Sequence, residues 1–242
     1  MIVVSEYGRD STHCLEDPKE HMCRSLKYVL ESPLKTTVEI LLKAGLDNIY
    51  SNCFSNSEIH LTNLSQIIFI YGGHSSIVYP CSLTMLNSKE NFCPRVIFEN
   101  IIFKKVSIIV QGLFIQFQNV EFDSTVLSDG HDLGLSFSKE LYIELSQTKW
   151  TSKSVRQSYR ATNMIHIGIL FSVHVNITNT VFTMGTQLMF SCAHCSVSLR
   201  NVVYTRAPYR LQFPGLICIR PQENYRYFRS INVLYLSNVS IG

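Results

Sequence analysis

The chain has 242 residues, enough for one large or two modest domains, with 46% hydrophobic and only 16% charged residues. A formal charge of +3 on scattered Lys and Arg is too slight to support nucleic-acid binding, and the locally basic stretches 204–210 and 220–229 read as solvated loops. No apolar run approaches the roughly 20 residues that cross a bilayer as a helix.

In chain order, Ile2-Val-Val-Ser5 reads as a short strand entering a turn at Gly8, and the segment from Cys14 to Cys23 as a polar loop. Leu26, Val29 and Leu30 then fall on one face of a short helix that Ser32-Pro33 stops. Residues 37–42 read as a strand, broken at Ala44-Gly45. Further strands are expected at 58–61, 67–70 and 77–78, followed by a loop from Pro80-Cys81 to Cys93-Pro94. Residues 123–133 and 149–160 read as polar insertions, Gly72-Gly73 as a turn, and 206–214 and 220–229 as loops.

Along the chain one phrase recurs: an apolar residue four before an asparagine, another two before it, and a third three after it. It is read at Val96/Phe98/Asn100/Phe103, Ile115/Phe117/Asn119/Phe122, Val175/Ile177/Asn179/Phe182, Val197/Leu199/Asn201/Tyr204 and Leu234/Leu236/Asn238/Ile241. Looser copies are Ile59/Leu61/Asn63 and Ile143/Leu145/Gln147/Trp150. Apolar residues two apart share one face of a strand, and asparagine tolerates the left-handed turn that would end it. The closest copies stand 19–22 residues apart, a period that suits a coil of three short strands. Leucine-rich repeats share that period, but their spacing is missing here. The pattern therefore predicts a parallel β-helix whose turn asparagines (Asn63, Asn100, Asn119, Asn179, Asn201 and Asn238) point inward and bond along its axis.

Three stretches near the start carry a specific resemblance: Val4-Ser-Glu-Tyr-Gly-Arg-Asp-Ser11, Cys23-Arg-Ser-Leu-Lys-Tyr-Val-Leu30 and Val38-Glu-Ile-Leu-Leu-Lys-Ala-Gly45 with Ile49-Tyr50. Together they resemble the opening of pectin-lyase-like right-handed β-helix domains, where a first strand and a small helix cap the solenoid. The resemblance implies an all-β fold, one right-handed parallel β-helix, with 1–46 as strand, capping helix and first coil strand. Residues 47–242 are then its coils. The last copy ends at Ile241-Gly242 without a cap, and no export signal precedes the first strand, so a piece of a longer chain is expected. The superfamily mixes carbohydrate enzymes with non-enzymatic surface proteins, so the resemblance leaves activity open.

The candidate chemistry is sparse. Asp123, Asp129, His131 and Asp132 form the best acidic cluster, able in principle to hold Ca²⁺ or to supply acid and base for glycoside cleavage. The resemblance implies Asn-Thr-Asp, Asp-Asp and Gly-His-Gly sets in hydrolases. Gly130-His131-Asp132 lacks the second glycine, and no Asp-Asp pair occurs, so a solvated turn is expected. Cys192-Ala-His-Cys195 has no second C-x-x-C to complete a zinc site and reads as part of the disulfide framework. No other cofactor is implied.

Tyr159, Tyr209, Tyr225 and Tyr227, beside arginines in the loops, are the candidate ligand-binding aromatics. Eight cysteines and three sequons, at Asn63, Asn176 and Asn238, favour an extracellular or cell-surface setting. Cys14–Cys23 and Cys81–Cys93 are the preferred disulfides, each closing a short loop. Asn176 is the expected glycan acceptor because it alternates with apolar Val175 and Ile177. The expected function is a non-catalytic extracellular module with a structural, adhesion or glycan-recognition role, its partners glycans or proteins. The alternative is a polysaccharide lyase or glycoside hydrolase.

Overall fold

The computed structural model describes residues 1–32, 37–43, 49–50, 59–61, 67–78, 82–87, 94–128, 141–151, 163–183, 186–205, 217–219 and 231–241. Among them seventeen strands join one sheet and two short helices, Thr12–Glu16 and Leu26–Glu31, precede most of it. Every registered strand pairing is parallel.

The pairings sort into three ladders. In the first, successive Cα partners run Ile2, Ile40, Ile70, Phe98, Phe117, Leu145, Ile177, Leu199 and Leu236. A companion column two residues earlier runs Val38, Ile68, Val96, Ile115, Ile143, Val175, Val197 and Leu234. Both columns are buried as far as Leu199, because residues two apart turn to the same face and each is covered by its partners. On the last strand, Ile231–Ile241, Leu234 and Leu236 stand 42% and 57% exposed.

The second ladder begins just beyond the asparagine positions. Its inner column, Phe103, Phe122, Trp150, Phe182 and Tyr204, keeps register across five strands. Adjacent ring centroids lie 5.7 Å (Phe103–Phe122), 4.0 Å (Phe122–Trp150) and 6.0 Å (Trp150–Phe182) apart. Trp150 is fully buried and its Nε1 meets no acceptor among the described residues, an arrangement that costs of order 1–3 kcal/mol against the gain of stacking. The third ladder carries Leu83, Ile108, Leu127, Ile165, Leu188 and Ile217 in register. Three all-parallel ladders visited in turn are compatible with a parallel β-helix.

The N-terminal region is fastened to the first strand, Ile2–Ser5. Ser5 N–H donates to the Cys23 carbonyl and Cys23 N–H to that of Val3, both at 2.9 Å. Ser25 caps the helix Leu26–Glu31 by accepting from Tyr28 N–H. Asp10 in turn accepts from Arg24 N–H, Ser25 N–H and the Ser25 hydroxyl at 2.7–2.9 Å. The helix buries Leu26, Val29 and Leu30, the residues spaced for that face. A disulfide joins Cys14 to Cys23, with Cα atoms 5.1 Å apart.

Five expectations are corrected. Ser82–Asn87, inside the stretch read as a loop, and Lys149–Thr151, at the start of the stretch read as an insertion, are strands paired in the third and second ladders. The segment after Ser11 is not all loop, since Thr12–Glu16 is a helical turn that buries Cys14 against the cap. Residues 123–128 do not leave the sheet. Asp123 ends strand Glu121–Asp123, and Val126–Ser128 pairs with Ser107–Gln111, so backbone pairing and a buried Leu127 outweigh the polar composition. The copy read at Ile59/Leu61 pairs with Met85 and Asn87 in the third ladder, not with the columns that precede the asparagines. That place in the first ladder belongs to Ile68 and Ile70, and the turn position two beyond Ile70 is Gly72.

Gly72 is required there. A Cβ would run into the Asn100 carbonyl oxygen and come within 2.9 Å of Ile101 Cγ1. Gly72→Ala should therefore destabilise the chain by roughly 1–3 kcal/mol in urea unfolding, through overpacking against backbone. An unchanged midpoint would show that the neighbouring strand yields freely.

Candidate ligand-binding groove

The corner between the first and second ladders is built from a single backbone device. Asn100, Asn119, Gln147, Asn179, Asn201 and Asn238 all adopt φ between 49° and 58°. For residues other than glycine this left-handed conformation costs about 1–2 kcal/mol, least for asparagine, whose short amide bonds locally. Asn119 Nδ2 donates to Asn100 Oδ1 at 2.6 Å, Asn201 Nδ2 to Asn179 Oδ1 at 3.0 Å, and Asn238 Nδ2 to Asn201 Oδ1 at 3.1 Å. Gln147 separates the two runs, keeping the corner's backbone without an amide bond to either neighbour among the described residues. The expectation that these side chains point inward is corrected. Asn119, Asn179, Asn201 and Asn238 are exposed, because a residue at positive φ turns its side chain away from the buried columns on either side.

A groove of about 420 Å³ follows this corner. The amides of Asn100, Asn119 and Gln147 line it together with the outward column Ile102, Glu121 and Lys149, and with Gly72, Ile101 and Val120. Glu121 Oε1 accepts from the Thr151 hydroxyl at 3.1 Å, which orients its carboxylate. Apolar side chains beside three amides, one carboxylate and one ammonium suit a neutral ligand rich in hydroxyls, and the volume lies within the range of small-ligand pockets.

The outward face of the first ladder differs in kind. Arg95, Phe114, Tyr142 and His174 stand in register. The guanidinium lies 4.6 Å from the Phe114 centroid and donates to Gln116 Oε1 at 2.7 Å. Phe114 and Tyr142 stack at 6.1 Å, Tyr142 and His174 at 4.7 Å, with planes within 16° and 9°. Rings stacked along a ladder turn their faces to one another and their edges outward. Beside them a shallower groove of about 200 Å³ is lined by Glu144, Asn176, Ser196 and Ser198 as well. Further along this face the Tyr71 phenol is held above its ordinary pKa, by burial first and then by the negative charges of Glu39 and Glu99.

Asp123 is buried and accepts from the Ser124 hydroxyl, and it follows Glu121 by two residues on the same strand. Asp129 and Asp132 lie outside the described residues, as do Tyr159, Tyr209, Tyr225, Tyr227, Cys81, Cys93 and Asn63. Cys195 is disulfide-bonded and lies within the strand Thr186–Tyr204. Among the described residues no group of three or more His, Cys, Asp or Glu is placed to hold a metal ion, and no helix is long and apolar enough to cross a membrane. Sequence reading missed Glu121 and Lys149. Both stand two residues past a corner, as Ile102 does, so extending the alternation beyond the asparagine would have found them. No protein-family model, curated protein or solved structure matches the chain.

Asn201 both donates and accepts in the amide row, so Asn201→Ala should cost about 2 kcal/mol, from the left-handed backbone and the lost bonds. Asn201→Gly, free of the backbone penalty, should cost clearly less, and equal losses in chemical denaturation would discount the conformational share. The raised Tyr71 pKa favours the protonated phenol in the fold. Its contribution is complete below the ordinary value of about 10 and falls away as pH climbs through the raised one. Tyr71→Phe should thus show a shallower decline of stability above about pH 10, and parallel curves would count against the shift.

Proposed function

We propose that the chain is a single right-handed parallel β-helix, a non-catalytic extracellular module of a larger protein, and that its corner groove recognises a glycan. The coil is supported by the nine-membered parallel column from Ile2 to Leu236, and its hand by the strong right-handed bias of parallel crossovers. An oxidising compartment is supported by the Cys14–Cys23 disulfide and the disulfide-bonded Cys195.

The observation that carries the glycan reading is the lining of the 420 Å³ groove. Amide groups repeat there at the rung spacing, about 4.8 Å, and so meet successive hydroxyls of an extended sugar chain with alternating donors and acceptors. Lys149 and Glu121 supply a donor and an acceptor of higher strength on the opposite side. The lining holds Glu121 as its one carboxylate, where glycoside cleavage takes two, and recognition is favoured over hydrolysis for that reason.

The purified chain should bind members of a polysaccharide and oligosaccharide panel without releasing unsaturated or reducing ends. Lys149→Ala and Gln147→Ala should each weaken that binding about tenfold, the loss of one charged or good neutral hydrogen bond. Sugar release from the panel would replace recognition by catalysis. Binding that both variants leave unchanged would move the site elsewhere.

A further inference from the structure

We infer that Asn176 is an N-glycosylation site with a built seat for its first sugar, on the stacked rings of the first ladder. The sequon is Asn176-Ile177-Thr178. Strand alternation buries Val175 and Ile177 and turns His174, Asn176 and Thr178 to one outward face, with His174 and Asn176 exposed. His174 thus stands two residues ahead of the acceptor on the same face, and Tyr142 backs its ring at 4.7 Å.

The cross-strand neighbours of Asn176 are Glu144 and Ser198, and those of His174 are Tyr142 and Ser196. On one side the column carries rings, and on the other it drops to the short side chains of Ser196 and Ser198. The 200 Å³ groove runs through this step. An N-acetylhexosamine on Asn176 Nδ2 would fill it, its C–H face against the imidazole and its hydroxyls within reach of Glu144 and Ser198. In the modification, Asn176 Nδ2 attacks the sugar's anomeric carbon in a lipid-pyrophosphate-linked oligosaccharide. The new C–N bond replaces the C–O bond, the lipid pyrophosphate leaves as an anion with that bonding pair, and the amide nitrogen gives up one N–H proton to solvent.

Asn238-Val239-Ser240 is an internal contrast. Its acceptor is also exposed, but it sits at a left-handed corner behind Leu236, with Nδ2 already donating to Asn201 Oδ1. The inference rests on the extracellular reading but uses none of the corner groove's residues, so glycan binding at the corner and glycan attachment at Asn176 stand or fall separately.

The test is to express the full chain behind a secretion signal in cultured animal cells and to map its glycopeptides by mass spectrometry. Asn176 should be occupied. Enzymatic removal of the glycan should lower Tm by about 2–4 °C, the shift of one ordinary stacking contact in a chain this long. In His174→Ala the occupancy should remain and that shift should shrink by half or more, whereas His174→Phe, which keeps a ring, should retain it. An unmodified Asn176 in secreted chain, or the same Tm shift with and without the ring, overturns the inference. Occupancy at Asn238 alone overturns it too while leaving the secretory reading in place.

Discussion

The structure depends on register. Each inward residue of the first ladder lies on its counterpart from the preceding and following strands, Ile70 on Phe98, Phe98 on Phe117, Phe117 on Leu145. Because side chains alternate with a period of two, slipping any one strand by a single residue would expose its apolar set and bury its polar one. That penalty recurs at every strand pairing. It lets a chain with few charges and no long helix among its described residues bury a continuous core.

The corners hold that register in place. From Asn100 onward a left-handed residue at the same point of the first ladder turns the chain sharply after Phe98, Phe117, Leu145, Ile177, Leu199 and Leu236, so the next strand starts with its own inward residue correctly phased. Asparagine meets the backbone requirement and adds an amide that bonds to the next corner. At Gly72 the demand is different: no side chain fits where the neighbouring Asn100 carbonyl passes. Beyond the corner the aromatic column from Phe103 to Phe182 fills the interior, and the pinned helix Leu26–Glu31 buries its apolar face at the N-terminal side.

The groove is a by-product of the same device. Corner amides forced outward by positive φ form one polar row, and the first outward residues of the second ladder form another. Glu121 and Lys149 are neighbours because Asn119 and Gln147 are equivalent corners 28 residues apart, and the strands that follow them pair in register. On the opposite side of the corner, the first ladder's outward face stacks Phe114, Tyr142 and His174 through the same register.

The amino-acid sequence alone carried the apolar columns, the corner asparagines from Asn100 onward, the short helix over Leu26–Glu31 and a preference for the Cys14–Cys23 pair, because each is a local pattern of spacing, turn preference or loop length. It misassigned Ile59 and Leu61, since the short alternation of a strand is the same in every ladder and only pairing with Met85 and Asn87 tells which one it joins. It also left residues 123–128 outside the sheet, as their polarity conceals a backbone held by strands more than fifteen residues away. The groove was decided only by the tertiary structure. Glu121, Lys149 and the exposed amides come together through parallel strand pairing, and the outward turn of the asparagines follows from a φ angle that the residue permits but does not by itself impose.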